Sequence, residues 1–397
     1  MDLTGWLLAR ALPCAFVVTA VGGTGARLAV ERELRERGWR RAAAPGAADL
    51  LVVCGPEDPD LADAVDRVWK QMPGPRARVR VPGADGAARL LDATRGRLLD
   101  VDRQRREAAE RDAAARERAQ QGGDEGHGDD GEHDQGNGGD HDDGHSGHAG
   151  GEGHGDGHGH GHGGMSMPGG IPMADRGPDR DGLTLDRLHV NLGPALTDWP
   201  AGLRLRLTLQ GDVVQEAEAE IVGGAAVTSA FWDVPGPAAA LDSAQRLLTA
   251  AGWPDAAESA RRWRDALLAE PEPDAATRRG VLRWLRRVRR SRVLRWSTAG
   301  LGPIDGPVPE PLLGDVTDRW SRRLDVVEAA LGAGGRPGRD APADRSRTEA
   351  AEAAKAALDL LPSLVTGQEL AAVRLVVASL DPDTEALRAH VPGRSHD

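Results

Sequence analysis

The sequence predicts two domains of different class on either side of a tether, an α/β domain first and an α+β domain last. Three observations carry that reading. Before residue 100, short apolar runs alternate with helical periodicity. After residue 185, strand-like alternation gives way to a series of helices. Between them lies a stretch of Gly, His and Asp with no Lys or Arg. The chain has 397 residues, and setting that stretch aside leaves two pieces of ordinary domain size. The expected divisions are 1–99 for the α/β domain, 100–121 for a charged helix, 122–175 for a disordered linker and 176–397 for the α+β domain.

In the first domain, Cys14 to Val21 is a β-branched, apolar run that ends at Gly22-Gly23. Ala26, Val30 and Leu34 follow at helical spacing, with a stop at Gly38. The pattern then repeats. Asp49 to Cys54 reads as a buried strand, Gly55-Pro56 turns, and Asp58 with Pro59 caps a helix carrying Leu61, Val65, Val68 and Met72 on one face. Arg76 to Val81 is a third, weaker strand. Strands alternating with helices imply a short parallel sheet with right-handed crossovers.

Gly22-Gly23-Thr24-Gly25 lies between a strand and a helix, where free N–H groups suit an anion. No Lys-Ser or Lys-Thr follows and no complete G-x-G-x-x-G is present, so a plain tight turn is expected.

Asp100 to Gln121 alternates Arg and Glu with Ala, and Arg103, Glu107 and Arg111 stack at i,i+4 with opposite signs. It lacks the apolar a and d positions of a coiled coil and reads as a solvated helix.

The linker, Gly122 to Gly164, holds nine of the twelve histidines: His127, His133, His141, His145, His148, His154, His158, His160 and His162. Eleven Asp and Glu lie among them and account for nearly all of the net charge of -12. So polar a segment buries too little apolar surface to offset the entropy of ordering. Its imidazoles and carboxylates are borderline ligands suited to Ni, Zn or Cu(II). These nine histidines are the candidate metal residues, alongside the reading as a solvated tether.

In the second domain, Leu203, Leu205, Leu207 and Leu209 fall on one face of a strand, with Arg204, Arg206 and Thr208 on the other. Gln210-Gly211-Asp212 turns into Val213 to Ile221. Helices are then expected near 238–251, 255–268, 275–296, 315–331, 347–361 and 367–380. The third carries nine arginines between Arg278 and Arg295. That pattern fits an anion-binding face or the solvated side of a helix in an arginine-biased protein, since Lys70 and Lys355 are the only lysines. His189 stands alone in a strand and reads as an edge histidine. Spacing defines no Ser-His-Asp order, carboxylate pair or metal-protease motif, so no catalytic residue is named.

Cys14 and Cys54 are the only cysteines, too few for a disulfide framework, and a reducing, cytoplasmic setting is expected. The apolar run Ala11 to Val21 lacks a basic flank and is shorter than the ~20 residues of a membrane span.

Ala47-Ala48-Asp49-Leu50-Leu51-Val52-Val53-Cys54-Gly55-Pro56, then Val68-Trp69-Lys70-Gln71-Met72-Pro73-Gly74-Pro75, resembles the small, cluster-binding subunit shared by respiratory complex I (NADH-quinone oxidoreductase) and membrane-bound [NiFe] hydrogenases. Val190-Asn191-Leu192-Gly193-Pro194, the Leu203 to Val214 hairpin, and Leu361 to Asp383 resemble the opening and closing segments of the large subunit of the same complexes. Ser297 to Ile304 is a fainter match to an internal segment of that subunit. The resemblance implies a flavodoxin-like half in the first domain and a β-hairpin sheet followed by a helical bundle in the second.

It also implies working residues that this chain lacks. The family's four cluster cysteines begin just after the first strand, where this chain reads Val21-Gly22-Gly23-Thr24-Gly25-Ala26. The hairpin histidines fall on Leu196 and Pro200, a later motif is replaced by Gly223-Gly224-Ala225-Ala226-Val227, and no Cys-x-x-Cys pair exists for nickel. The expectation is a non-catalytic accessory or assembly component of such a complex, holding no iron-sulfur cluster. Its partners would be the authentic redox subunits, and nucleic acid is not expected. It would lie in the cytoplasm or at the inner face of the membrane. The competing expectations are a His-rich Ni or Zn storage or chaperone protein and a divergent subunit still active in electron transfer.

Overall fold

The structure, a computed structural model, describes residues 12–121, 175–178, 184–232, 236–270, 272–332 and 343–390. The nine linker histidines lie outside the described residues. Residues up to Arg106 and from Arg176 onward form one compact unit, and Glu107–Asp175 form another. The helix α4 (Val101–Gln121) runs from the first into the second.

The N-terminal part is α/β. Its elements are β1 (Cys14–Thr19), α1 (Thr24–Glu36), β2 (Arg40–Arg41), β3 (Leu50–Cys54), α2 (Pro59–Gln71), β4 (Ala77–Val81) and α3 (Ala87–Leu99). The four strands are parallel in the order β2-β1-β3-β4. Because helices cover both faces, every residue of β3 is buried, which explains its unbroken apolar sequence. Val17, Leu50 and Val52 pack with Ala26, Val30 and Leu34 of α1 and Leu91 of α3. Phe16, Val18, Leu51 and Val53 pack with Leu61, Val65 and Val68 of α2. Asp58 caps α2 by accepting from the Asp60 N–H at 3.1 Å, with Pro59 in the first turn. The buried Gln104 pins the start of α4, accepting from the Arg76 N–H at 2.9 Å and donating to the Arg76 carbonyl at 3.0 Å.

The C-terminal part is α+β. A sheet in the order β5-β6-β7-β8 comprises β5 (Asp175–Pro178), β6 (Thr184–Leu192), β7 (Leu203–Gln210) and β8 (Val213–Ile221), with β6–β7 and β7–β8 antiparallel. Leu203, Leu205, Leu207 and Leu209 are all at most 3% exposed, as the alternation requires. On the other face Arg204 and Arg206 pair with Glu220 across the hairpin. Thr208, on that outer face as the alternation predicts, is nonetheless buried and bonds His189 Nδ1, opposite it on β6, at 3.2 Å.

The helices are α5 (Pro237–Ala250), α6 (Pro254–Ala269), α7 (Ala275–Arg289), α8 (Arg292–Thr298), α9 (Val316–Gly332), α10 (Ala343–Val365), α11 (Leu370–Leu380) and α12 (Thr384–His390). The single helix expected over 275–296 is two. Ser291 interrupts it, and its hydroxyl caps α8 by accepting from the Leu294 N–H at 3.2 Å.

The N- and C-terminal parts meet through charge as well as packing. Arg27, Glu31 and Arg35 project from α1, Asp242 and Arg246 from α5, and Arg261, Arg264 and Asp265 from α6; Arg41, Asp198 and Asp381 complete a continuous network. Arg264 is fully buried, with its Nη1 2.8 Å from Glu31 Oε2 and 2.7 Å from Asp242 Oδ1. Pairing of this kind offsets the cost of taking these charges out of water.

Candidate functional site

Four backbone stretches converge where the α/β part meets the α+β part. They are the β1–α1 turn, the loop between β6 and β7, the Gly223–Val227 loop after β8, and the Leu380–Glu385 segment joining α11 to α12. The first, second and fourth line a cavity of about 820 Å³, a volume ordinary for a small-molecule site, and the third packs behind the β1–α1 turn. Trp199, Trp232 and Pro309 give it apolar walls, while Asp242, Arg246, Arg319, Arg322, Arg323 and Asp383 give it charge.

The β1–α1 turn is tightly filled. Gly22 has φ of +87°, and a side chain on Gly23 would put its Cβ 2.3 Å from the Cys54 carbonyl oxygen. The first N–H of α1, on Thr24, donates to Glu385 Oε1 at 3.0 Å, and Glu385 Oε2 accepts from the Phe231 N–H at 2.9 Å. The helix terminus that invited a phosphate-loop reading therefore already holds an anion of this chain, a carboxylate only 4% exposed. A phosphate there would face that carboxylate, so a plain tight turn is what the sequence builds.

The stretch Gly223–Val227 packs against this turn. Gly223 has φ of +79°, and a Cβ there would come within 1.8 Å of Asp58 Oδ2, the oxygen that accepts from the Gly224 N–H at 2.9 Å. Asp58 thus serves two purposes, capping α2 with one oxygen and holding the other part of the chain with the second. The turn after β1, where the family resemblance would begin its cluster ligands, packs against the Gly223–Val227 stretch that replaces the later motif, and Pro200, where it would put one hairpin histidine, lines the cavity with Thr24.

Thiolate chemistry does not fit here. Thr19 pairs with Cys54 across the sheet and Cys14 lies at the other end of β1, which separates the cysteines by roughly 17 Å along the strands. Cys54 is fully buried, and burial pushes its thiol up to about 12. Burial likewise raises the Cys14 thiol, with Asp49 adding to it. The residues present do not fit an iron-sulfur cluster. Among the described residues no group of three or more His, Cys, Asp or Glu is placed to hold a metal ion.

The titratable groups of the cavity are unusual. Burial raises the Asp383 carboxyl to about 6, with Glu385 and Asp381 adding to it and the Ala386 N–H offsetting part. Arg319 is 1% exposed and among the described residues pairs with no carboxylate. It donates to Ser379 Oγ and to the carbonyls of Gly302, Leu312 and Gly314, and burial followed by the nearby Arg323 brings it down to about 10. Chemically, the cavity can hold a small polar ligand against arginines and exchange a proton at Asp383 near neutral pH.

Among the cavity residues the sequence points to Thr24, Pro200 and the 361–383 stretch, but to none of Asp242, Arg246, Arg319, Arg322 and Arg323. Glu385 follows a helix on short sequence signals, and nothing near it indicates that its partner Thr24 is 361 positions away in the chain. The ion network did leave a trace. Arg27 and Glu31 adjoin the apolar stripe of Ala26, Val30 and Leu34, and Asp242 interrupts the Leu241 to Leu248 face. Charges of opposite sign on apolar faces are the sequence form of a buried ion pair.

Compared with known protein families and with curated proteins, this chain gives no match.

Proposed function

We propose that this protein is a fused, redox-inert relative of the small and large subunits of complex I-like or hydrogenase-like membrane complexes, acting as an accessory or assembly component. The observation supporting this reading is the convergence at the cavity. Stretches that the resemblance assigns to two separate subunits lie together in one compact unit. At four of the positions concerned the residue is inert or already engaged: Gly23 against the Cys54 carbonyl, Thr24 with Glu385, Pro200 on the cavity wall, Gly224 with Asp58. Such a chain can keep a subunit's surfaces without its chemistry. It would work in the cytoplasm or against the inner face of the membrane. Among the described residues no helix is long and apolar enough to cross one.

The test has two arms. Tagged chain recovered without oxygen from its own cells should bring down authentic redox subunits. Reconstitution with iron and sulfide should leave it without a [4Fe-4S] EPR signal. A stable signal that disappears when Cys14 and Cys54 are replaced would overturn the redox-inert reading, and recovery without any redox subunit would overturn the accessory role.

A second reading is favoured by the nine linker histidines, whose density suits a Ni- or Zn-handling protein. The two readings are compatible in one chain.

A further inference from the structure

The basic helix α7 buries Val281, Trp284, Leu285 and Val288. At about 100° per residue these define one face, and Arg279, Arg283, Arg286, Arg287 and Arg290 all fall within roughly 100° of arc opposite to it. All five are exposed. Among the described residues none forms an ion pair, whereas their neighbour Arg289 pairs with Asp325 and Glu328. Five like charges along about 16 Å of helix repel one another, and Arg287 is set over the Trp253 ring at 5.2 Å.

The adjoining helix α8 adds the second feature. Val293 is 74% exposed and Trp296 82% exposed, beside the exposed Arg292 and Arg295. An exposed Trp and Val next to a row of guanidiniums without ion pairs among the described residues is not how a face made only for water is composed. Arginines suit anionic headgroups, and an indole with an adjacent aliphatic side chain suits the headgroup–acyl boundary. A nucleic acid would use the arginines and could stack on Trp296, but it would leave Val293 in water. The lipid surface accounts for both features.

We propose that the α7–α8 face is a peripheral docking surface for anionic membrane lipid, with the α7 arginines over the headgroups and Trp296 and Val293 at the interface. Each α7 arginine then contributes roughly a fivefold gain in partitioning onto an anionic surface at low ionic strength. The attraction weakens with salt, because the Debye length shrinks from about 10 Å at 0.1 M to about 3 Å at 1 M.

The full chain is incubated with vesicles of phosphatidylcholine alone and of phosphatidylcholine mixed with phosphatidylglycerol, and sedimented. Binding is expected only to the mixed vesicles, and it should be lost at high salt. Arg283→Gln with Arg286→Gln and Arg290→Gln together should weaken it roughly a hundredfold. Trp296→Ala should weaken it and remove the tryptophan quenching caused by brominated lipid. All four positions are exposed, so an unchanged circular dichroism spectrum and melting temperature should accompany the loss. The proposal is overturned by equal binding to both vesicle types or by a triple variant that binds like the wild type. It is overturned equally by duplex DNA that binds through the same arginines while mixed vesicles do not. Binding that appears only after deletion of the acidic segment 122–164 would make that segment the occupant and also overturn it. None of these outcomes touches the accessory reading, which rests on cluster content and partner recovery.

Discussion

Arg27 and Asp242 stand 215 positions apart in the sequence and face each other in a two-bonded ion pair, Nη1 to Oδ1 at 3.1 Å and Nη2 to Oδ2 at 2.6 Å. Each is also shared. Asp242 accepts from Arg246 and Arg264, and Arg27 donates to Glu31. The pair joins the α/β part to the helices of the α+β part inside one compact unit. Removing one member leaves the other charged and buried, a more costly state than replacing both.

The first prediction follows from that asymmetry. Asp242→Asn should destabilise the protein by about 3 to 5 kcal/mol in urea unfolding, because Arg27 and Arg264 lose a shared counter-charge. Arg27→Met should cost a comparable amount, and the double variant should cost clearly less than the sum of the two. Additivity within about 0.5 kcal/mol would mean that the two residues act independently.

Glu385 carries the second prediction. It ties the first turn of α1 to α12 through the Thr24 N–H and ties the segment after β8 to α12 through the Phe231 N–H, in a buried setting. Glu385→Ala should cost about 1 to 3 kcal/mol, since both donors are left without their acceptor. Glu385→Gln keeps one acceptor oxygen and should cost less. Hydrogen exchange should show the loss at the Thr24 and Phe231 amides first; an unchanged rate there would remove Glu385 from this role.

The parts of the fold that were legible in sequence are those where periodicity and burial agree. The β3 run and the Leu203 to Leu209 alternation are buried as read, and Asp58-Pro59 caps α2. The two-residue β2, Arg40–Arg41, was not legible, since two arginines carry no strand pattern and their place comes from hydrogen bonding beside β1. The helix α3 was missed because its first residues follow Gly86 in a left-handed conformation without a side-chain cap. The helix α12 is short and follows α11 by only three residues, too little sequence for a period to register. The candidate site was least legible, because its geometry depends on contacts between residues about 150 to 360 positions apart, such as Thr24, Phe231 and Glu385.

The third prediction concerns the nine linker histidines and follows from ligand chemistry. Neutral imidazole binds metal, and with an ordinary pKa of about 6.5 these side chains are mostly neutral at about pH 7.5 and mostly protonated at about pH 5.5. More than one Ni or Zn ion should bind per chain, with sharp loss between those two values. Ca and Mg should bind far less tightly, because nitrogen ligands discriminate against them. Calorimetry on the full chain and on a version lacking 122–164 decides it. Equal stoichiometry in the two would remove the linker from any metal role, and binding undiminished at the lower pH would assign it to carboxylates.

The last prediction is a pH profile of stability with two opposed parts. Burial pushes Asp198 and Glu31 up, but Arg41 and Arg261 outweigh it at Asp198, holding it at about 2, and Arg27, Arg41 and Arg264 outweigh it at Glu31, holding it well below the usual range. Asp242 is held low in the same way, chiefly by Arg27 and Arg246. Carboxyls depressed in the folded state contribute stability that is fully present above about pH 4, their unfolded range, and that is lost as pH falls toward 2. Asp383 has the opposite sign. Its folded value near 6 exceeds the unfolded one, so the folded state binds the extra proton, and stability falls as pH rises from about 4 to about 6 and is level above that. The Asp383 contribution is on the order of 3 kcal/mol at most. Wild-type stability should therefore climb steeply from about pH 2 to about pH 4 and then decline gently. Asp383→Asn, which stays neutral, should keep the climb and lose most of the decline, leaving the part from Asp49, which burial also raises. Urea unfolding of both proteins across this range is the measurement, and a decline of equal size in the variant would assign it to a group other than Asp383.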